Sequence, residues 1–295
     1  MKIYKQKLKK MNVRYLKDLC IQVRRDILRM VNNAESGHPG GSLGCTEYFV
    51  ALYQKIMRYN PKKFSINGKG EDLFFLSNGH ISPVYYSILA RSGFFSIQEL
   101  STFRKLNSRL QGHPTVYEGL PGIRISSGSL GQGMSVSIGA ALSKKLDKEL
   151  NSIIYSLHGD GELNEGQIWE AVLYAGSRKI DNYIATVDYN GQQIDGTTDE
   201  VLPLGNLKKK FESFDWMVLE ELEGNNIEKV INILKKAKNE TGKKKPILII
   251  LYTQMGYGVD FMVGNNAWHG KSPNKEELKK ALYQLPETTL GDYTL

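Results

Sequence analysis

The sequence predicts an α/β protein: a parallel β-sheet flanked by helices on both faces. Two observations carry that prediction. Short apolar runs of strand length alternate with helix-period segments rather than with hairpin turns, the pattern of a sheet buried on both sides. Each unusual polar motif also follows directly on one of those runs, where ligands bind in open α/β sheets.

Leu16, Leu19, Cys20, Val23, Ile27, Met30 and Val31 recur at helical spacing and stop before Ser36-Gly37. A second apolar-periodic stretch runs from Glu47 to Tyr59 and ends at Asn60-Pro61. Asp72 to Ser77 reads as a short strand closed by Asn78-Gly79. Gly131 to Leu150 reads as a helix, Ser152 to Leu157 as a strand and Glu165 to Arg178 as a helix. Tyr183 to Asp188 follows as a strand, Ile227 to Glu240 as a helix and Pro246 to Thr253 as a long buried strand. No repeat, low-complexity tract or linker interrupts the pattern, so residues 1–295 read as one domain.

Composition narrows the function. The chain is 41% hydrophobic and 24% charged, ordinary for a globular protein. No apolar stretch approaches the roughly 20 residues that span a bilayer. Met1 to Lys7 has no apolar segment behind it, unlike a secretory signal. Two cysteines, Cys20 and Cys45, give neither a disulfide framework nor zinc-ligand spacing, so a cytoplasmic protein with reduced thiols is expected. Net charge is +8, but the basic runs at Lys5 to Lys10, Lys208 to Lys210 and Lys243 to Lys245 are scattered and bare of aromatics. That argues against nucleic acid as a partner and suits an enzyme of anionic ligands.

The sharpest motif is Leu157-His158-Gly159-Asp160-Gly161-Glu162-Leu163-Asn164-Glu165-Gly166. Glycines on both sides of Asp160 allow a sharp turn and close approach of a ligand. A desolvated carboxylate there needs a partner, and a metal ion is a natural one. Asn190 lies thirty residues on, one βαβ step away, and offers a second oxygen at the next strand end. Magnesium prefers six oxygens and often shares them with phosphates. An aspartate at a turn can equally cap a helix, so both readings stand at this point.

Gly159-Asp160-Gly161 followed by Asp188-Tyr189-Asn190 resembles the signature of thiamine-diphosphate enzymes. The surrounding motifs resemble the transketolase family, in order. They are Gly37-His38-Pro39-Gly40, Ser77-Asn78-Gly79-His80, Gly112-His113-Pro114, Ser127 to Gly133, Leu163 to Glu170 and Asn190 to Gly196. The resemblance runs from about Leu16 to His269 and implies the diphosphate-binding domain of that fold. It implies that Asp160, Asn190 and the main-chain carbonyl of Gln192 hold Mg2+, or another divalent cation such as Ca2+ or Mn2+. Gly161, Asn190 and His80 are implied diphosphate-side contacts. Gly128, Ser129 and Leu130 would meet the aminopyrimidine ring, and Ile194 the thiazolium.

His38 and His269 are implied to bind the donor sugar's oxygens, His269 also the diphosphate, and His113 the donor's terminal hydroxyl. Glu165 resembles a carboxylate at a subunit interface; an exposed glutamate favoured by the helix dipole is the competing reading. Glu162 receives only that second reading. His158 departs from the family, which usually has an apolar residue there, and is read as structural. The implied reaction is ketol transfer: a two-carbon unit passes from a ketose phosphate to an aldose phosphate, with thiamine diphosphate as electron sink.

In the family a pyrimidine-binding and a C-terminal domain follow, carrying the activating glutamate and most of the substrate-phosphate grip. Those parts have no counterpart in these 295 residues. The resemblance therefore implies the N-terminal subunit of a split transketolase, completed by a C-terminal subunit in an α2β2 assembly. The competing readings are a related synthase with another donor, such as a 1-deoxyxylulose-phosphate synthase using pyruvate, and a non-catalytic binding paralogue. A Rossmann nucleotide binder fits poorly, because Gly128-Ser129-Leu130-Gly131-Gln132-Gly133 lacks the spacing of its glycine fingerprint.

Overall fold

The computed structural model describes residues 12–295, and the basic run at Lys5 to Lys10 lies outside them. Helix α1 (Val13–Asn33) is capped by the Asn12 side chain, which accepts from the Tyr15 amide at 2.8 Å. Its seven periodic apolar residues are all buried. The Gly-His-Pro-Gly segment opens α2 (Pro39–Gly44), with proline in the first turn. Helix α3 (Thr46–Ala51) continues into a π-helical turn, Leu52–Ile56, so the stretch read as Glu47 to Tyr59 is two helical forms and stops three residues early.

Strand β1 (Leu73–Leu76) leads into α4 (Ser82–Arg91), then a long irregular segment into α5 (Gln132–Leu146). Strand β2 (Ile154–Gly159), α6 (Gly166–Ser177) and β3 (Tyr183–Tyr189) follow. A small hairpin, β4 (Gln192–Gln193) and β5 (Gly196–Thr197), precedes α7 (Thr198–Val201) and α8 (Leu207–Ser213). Strand β6 (Met217–Glu221), α9 (Ile227–Glu240), β7 (Ile247–Tyr252) and α10 (Lys275–Gln284) complete the order.

The main sheet has order β1-β2-β3-β7-β6 and every pairing in it is parallel. Side chains alternate between its faces. Phe74, Leu76, Ile184, Ile249 and Leu251 join a core with α1, α3, α4, α9 and α10. Leu73, Phe75, Ala185, Leu248 and Ile250 join a second core with α5, α6 and α8. Helices thus cover both faces, as the sequence pattern predicts. Register aligns the strand ends: Leu76 pairs with Leu157, Gly159 with Asp188 and Tyr189 with Tyr252. Ser77, Asp160, Asn190 and Thr253 therefore leave the sheet side by side. Among the described residues no helix is long and apolar enough to cross a membrane.

Candidate functional site

At these strand ends lies Asp160, 2% exposed. Its Oδ1 accepts from the Gly161 amide at 2.8 Å, and its Oδ2 from the amides of Asn190 at 3.0 Å and Gly191 at 2.6 Å. Buried Asp188 lies beside it and raises the cost of its charge. Burial first, and then the Asp188 charge, push the Asp160 carboxyl up to about 7. Among the described residues neither aspartate forms an ion pair, so the three amides are the only compensation shown for Asp160. Asn190 bridges the two: its Nδ2 donates to Asp188 at 2.8 Å, and its Oδ1 accepts from the Gln192 amide at 2.9 Å, which leaves one lone pair. A divalent cation fits here by charge and by donor type. The Asp160 carboxylate and the Asn190 amide oxygen are hard-oxygen donors of the kind Mg2+ prefers.

The flanking glycines act differently from expectation. Neither takes a left-handed backbone, so no sharp turn requires them. A Cβ on Gly161 would meet the Gln193 side chain at 2.9 Å, whereas one on Gly159 would meet only Asn78, at 4.0 Å. Gly161 is needed for packing, and Gly159 leaves space over the strand end.

Four histidines, from four separate segments, form the rim. His38 has its ring centroid 5.2 Å from His80, 6.2 Å from His113 and 5.7 Å from His269, and His80 lies 5.0 Å from His269. Burial, then His269, Arg104 and His113, lower His38 to about 4. Burial also lowers His80, His113 and His269, with neighbouring histidines adding to the first and Arg104 to the second. All four are therefore neutral at pH 7, each ring with one donor and one acceptor nitrogen. His38 Nδ1, Asn78 Oδ1, Ser127 Oγ and Gln193 Nε2 are among the buried polar atoms that have no hydrogen-bond partner within the described residues.

Gly128 and Ser129 are exposed and Leu130 half-buried on the loop that enters α5; a Gly128 Cβ would lie 3.4 Å from the His113 ring. Ile194 is 64% exposed at the tip of the β4–β5 hairpin. Glu165 is exposed at the N-terminus of α6, beside Gly131 rather than in the histidine rim.

Glu162 contradicts its reading as an exposed helix-start glutamate: it is 2% exposed. It accepts from Ser77 Oγ, from the Gly131 amide at 2.9 Å and from the Gly159 amide at 3.1 Å. Fully buried His158 places its Nδ1 3.4 Å from Glu162 and its Nε2 2.8 Å from Ser156 Oγ, an internal structural position. Arg104 was not singled out from sequence. It adopts a left-handed backbone (φ 57°), donates to Ser36 Oγ at 3.0 Å and forms no ion pair among the described residues. The only sequence cue to its place is its closeness to the Gly112-His113-Pro114 motif.

The family model "Transketolase, thiamine diphosphate binding domain" matches residues 17–287. The chain is 37% identical over 264 residues to one of the subunits of the apulose-4-phosphate transketolase of Phocaeicola vulgatus, covering 90% of this chain and 91% of that one. It is 38% identical to the 6-deoxy-6-sulfo-D-fructose transketolase subunit SqwG of a Clostridium species, covering 89% and 93%. Transketolase of Campylobacter jejuni superposes with a TM-score of 0.86 at 34% identity, covering 93% of this chain but 43% of that one. The chain thus spans about two fifths of the length of the solved transketolases it matches. With a match over nearly all the described fold, this chain belongs to the transketolase family, in its thiamine diphosphate-binding domain.

Proposed function

We propose that this chain is the diphosphate-binding subunit of a two-subunit transketolase that transfers a two-carbon ketol unit between sugar phosphates. The observation that carries the reading is the buried Asp160, without an ion pair among the described residues, in a chain whose four neutral loop histidines cluster together. Asp160, Asn190 and the Gln192 carbonyl would hold the divalent cation, and His80 and Gly161 the diphosphate side. When bound, thiamine diphosphate supplies the electron sink for the two-carbon unit. His38 and His269 present neutral imidazoles to the donor's oxygens and to charge that develops there, and His113, the exposed member, meets the terminal hydroxyl. Exposed Ile194 gives an apolar contact for the ring system.

A partner subunit is supported from two sides. The two relatives named as subunits match this chain over nearly their whole lengths. Val136 on α5 and Leu173 and Tyr174 on α6, the helix that Glu165 precedes, are exposed apolar side chains suited to burial against another chain. An α2β2 assembly follows if that face pairs between copies. The sugars for which the two relatives are named, apulose 4-phosphate and 6-deoxy-6-sulfo-D-fructose, both carry an anionic end, which favours an anionic ketose donor here.

The test is purification of the tagged chain from its native cell and native mass measurement with Mg2+ and thiamine diphosphate. A stoichiometric second chain, with turnover of xylulose 5-phosphate and not of pyruvate, is expected. Turnover of pyruvate instead would establish the synthase reading. A lone chain that binds no cofactor would refute the proposal.

A further inference from the structure

Glu162 carries an inference of its own. Its carboxylate sits in the 3-10 turn after Asp160, and the groups donating to it come from separate loops. Ser77 heads the loop that carries His80; its hydroxyl donates to Oε1. Gly131 ends the loop that carries Gly128, Ser129 and Leu130; its amide donates to the same oxygen. Gly159 precedes Asp160; its amide donates to Oε2. His158 Nδ1 closes the set on Oε1.

The same loops also interlock sterically. A Cβ on Gly133 would collide with Ser77, and one on Gly79 would come within 2.9 Å of the Ser127 backbone. No other side chain among those hydrogen bonds ties all three loops together. A buried carboxylate with four donors also has a large cost of disruption, because each amide would be left unpaired.

We propose that Glu162 is a positioning residue: through Ser77, Gly131 and Gly159 it holds the three cofactor-facing loops in one register, and so sets affinity for the diphosphate cofactor. This rests on the functional reading above and adds a residue that touches neither cofactor nor substrate. Removing the carboxylate should loosen the three loops together. Glutamine is graded: its oxygen can keep Ser77 and Gly131, while its NH2 faces the Gly159 amide, donor against donor. Ser77→Ala removes one tether and keeps the charge.

The experiment is hydrogen exchange on the full chain, wild type against Glu162→Gln, Glu162→Ala and Ser77→Ala. It is read beside far-UV circular dichroism and calorimetric titration with Mg2+–thiamine diphosphate. The expected result is faster exchange in segments 77–80, 128–131 and 159–161 at once, with the β3 and β7 amides unchanged. Cofactor Kd should rise at least tenfold in Glu162→Ala and less in Glu162→Gln and Ser77→Ala. Exchange that rises only in 159–161, or a Kd unchanged while the loops loosen, overturns the proposal. If Glu162→Ala unfolds, Glu162→Gln and Ser77→Ala decide it by the same two readouts. If wild type binds no cofactor, the functional reading and the affinity claim fail together, and the exchange pattern still decides the coupling of the loops.

Discussion

Asp160 and Glu162 are two residues apart and equally buried, at 2% exposure each, yet the protein treats them in opposite ways. Burial pushes both carboxyls up. For Glu162 the neighbouring His158 ring and hydrogen bonds from His158, Ser77 and Gly131 outweigh it and hold the carboxyl below its usual range. For Asp160 three amides do not offset burial and the Asp188 charge, and the carboxyl rises to about 7. The chain completes one carboxylate internally and leaves the other without a counter-charge, the place where the proposed function puts a cation. Acidic residues two positions apart in one motif can thus sit in opposite electrostatic environments, one satisfied within the fold and one not.

The largest expected effect follows from that division. Asp160→Ala should weaken Mg2+–thiamine diphosphate binding at least a hundredfold by calorimetry, because the remaining amide and carbonyl oxygens carry no net charge. Binding within tenfold of wild type would sink the metal assignment. In the metal-free chain the signs should separate. Asp160→Asn sets its NH2 against the Gly161 amide but also removes a poorly compensated buried charge, so its urea midpoint should fall less than that of Glu162→Gln. Glu162→Gln sets donor against donor and should cost about 1–3 kcal/mol.

In a reconstituted enzyme His38→Ala should lower kcat/KM by about 10²-fold, the usual scale for one lost hydrogen-bond donor at developing charge. His38 is the hub of the rim, with ring contacts to the other three histidines. A change below threefold would move the donor site elsewhere.

The pH dependence distinguishes the two carboxylates at a smaller scale. The folded pKa of Asp160 lies above the unfolded value near 3.9, so the folded state holds the proton longer. Metal-free stability from this group is then present at low pH and lost as pH rises from about 4 to about 7, by about 1.4 kcal/mol per pH unit. Glu162 is depressed, so its contribution is present above the unfolded range and lost only as pH falls through its lower folded value. Lowered histidines act against Asp160 below pH 6.5, since the unfolded chain then binds the extra protons. Urea midpoints at pH 5 to 8 should therefore be compared as differences from each variant. The wild-type minus Asp160→Asn difference should fall with pH, and the wild-type minus Glu162→Gln difference should stay flat. Parallel slopes would mean the two groups share one environment.

What the sequence reveals divides along similar lines. Strands and helices with one period are readable, and so are motifs whose residues lie at strand ends. Strand β6 is not, because it is the edge of the sheet, half-exposed, and carries Glu220 and Glu221. Helix α4 is buried on nearly all sides, so it shows no polar face to give a helical period. Helix α5 ends at Leu146 rather than Leu150 because Lys148 turns left-handed. Glu162 escapes sequence reading for another reason. Its partners Gly131 and Ser77 are 31 and 85 residues away, so nothing local distinguishes it from a solvated helix-start acid.

The smallest effect expected is at Ile194. An apolar side chain 64% exposed at a hairpin tip contributes little to folding, so Ile194→Ala should move stability by less than about 0.5 kcal/mol. If that exposed surface packs on the cofactor's ring system, the loss appears in binding instead. Deleting three carbons from such a contact, each worth up to about 0.8 kcal/mol when fully buried, should raise the Mg2+–thiamine diphosphate Kd several-fold. Calorimetric titration beside a thermal melt separates the two. A melting loss with unchanged Kd would place Ile194 in the fold of the β4–β5 hairpin. An unchanged melt with a weaker Kd would place its contact in the ligand: where Asp160 is buried and lacks a charge partner, Ile194 is exposed and lacks an apolar one.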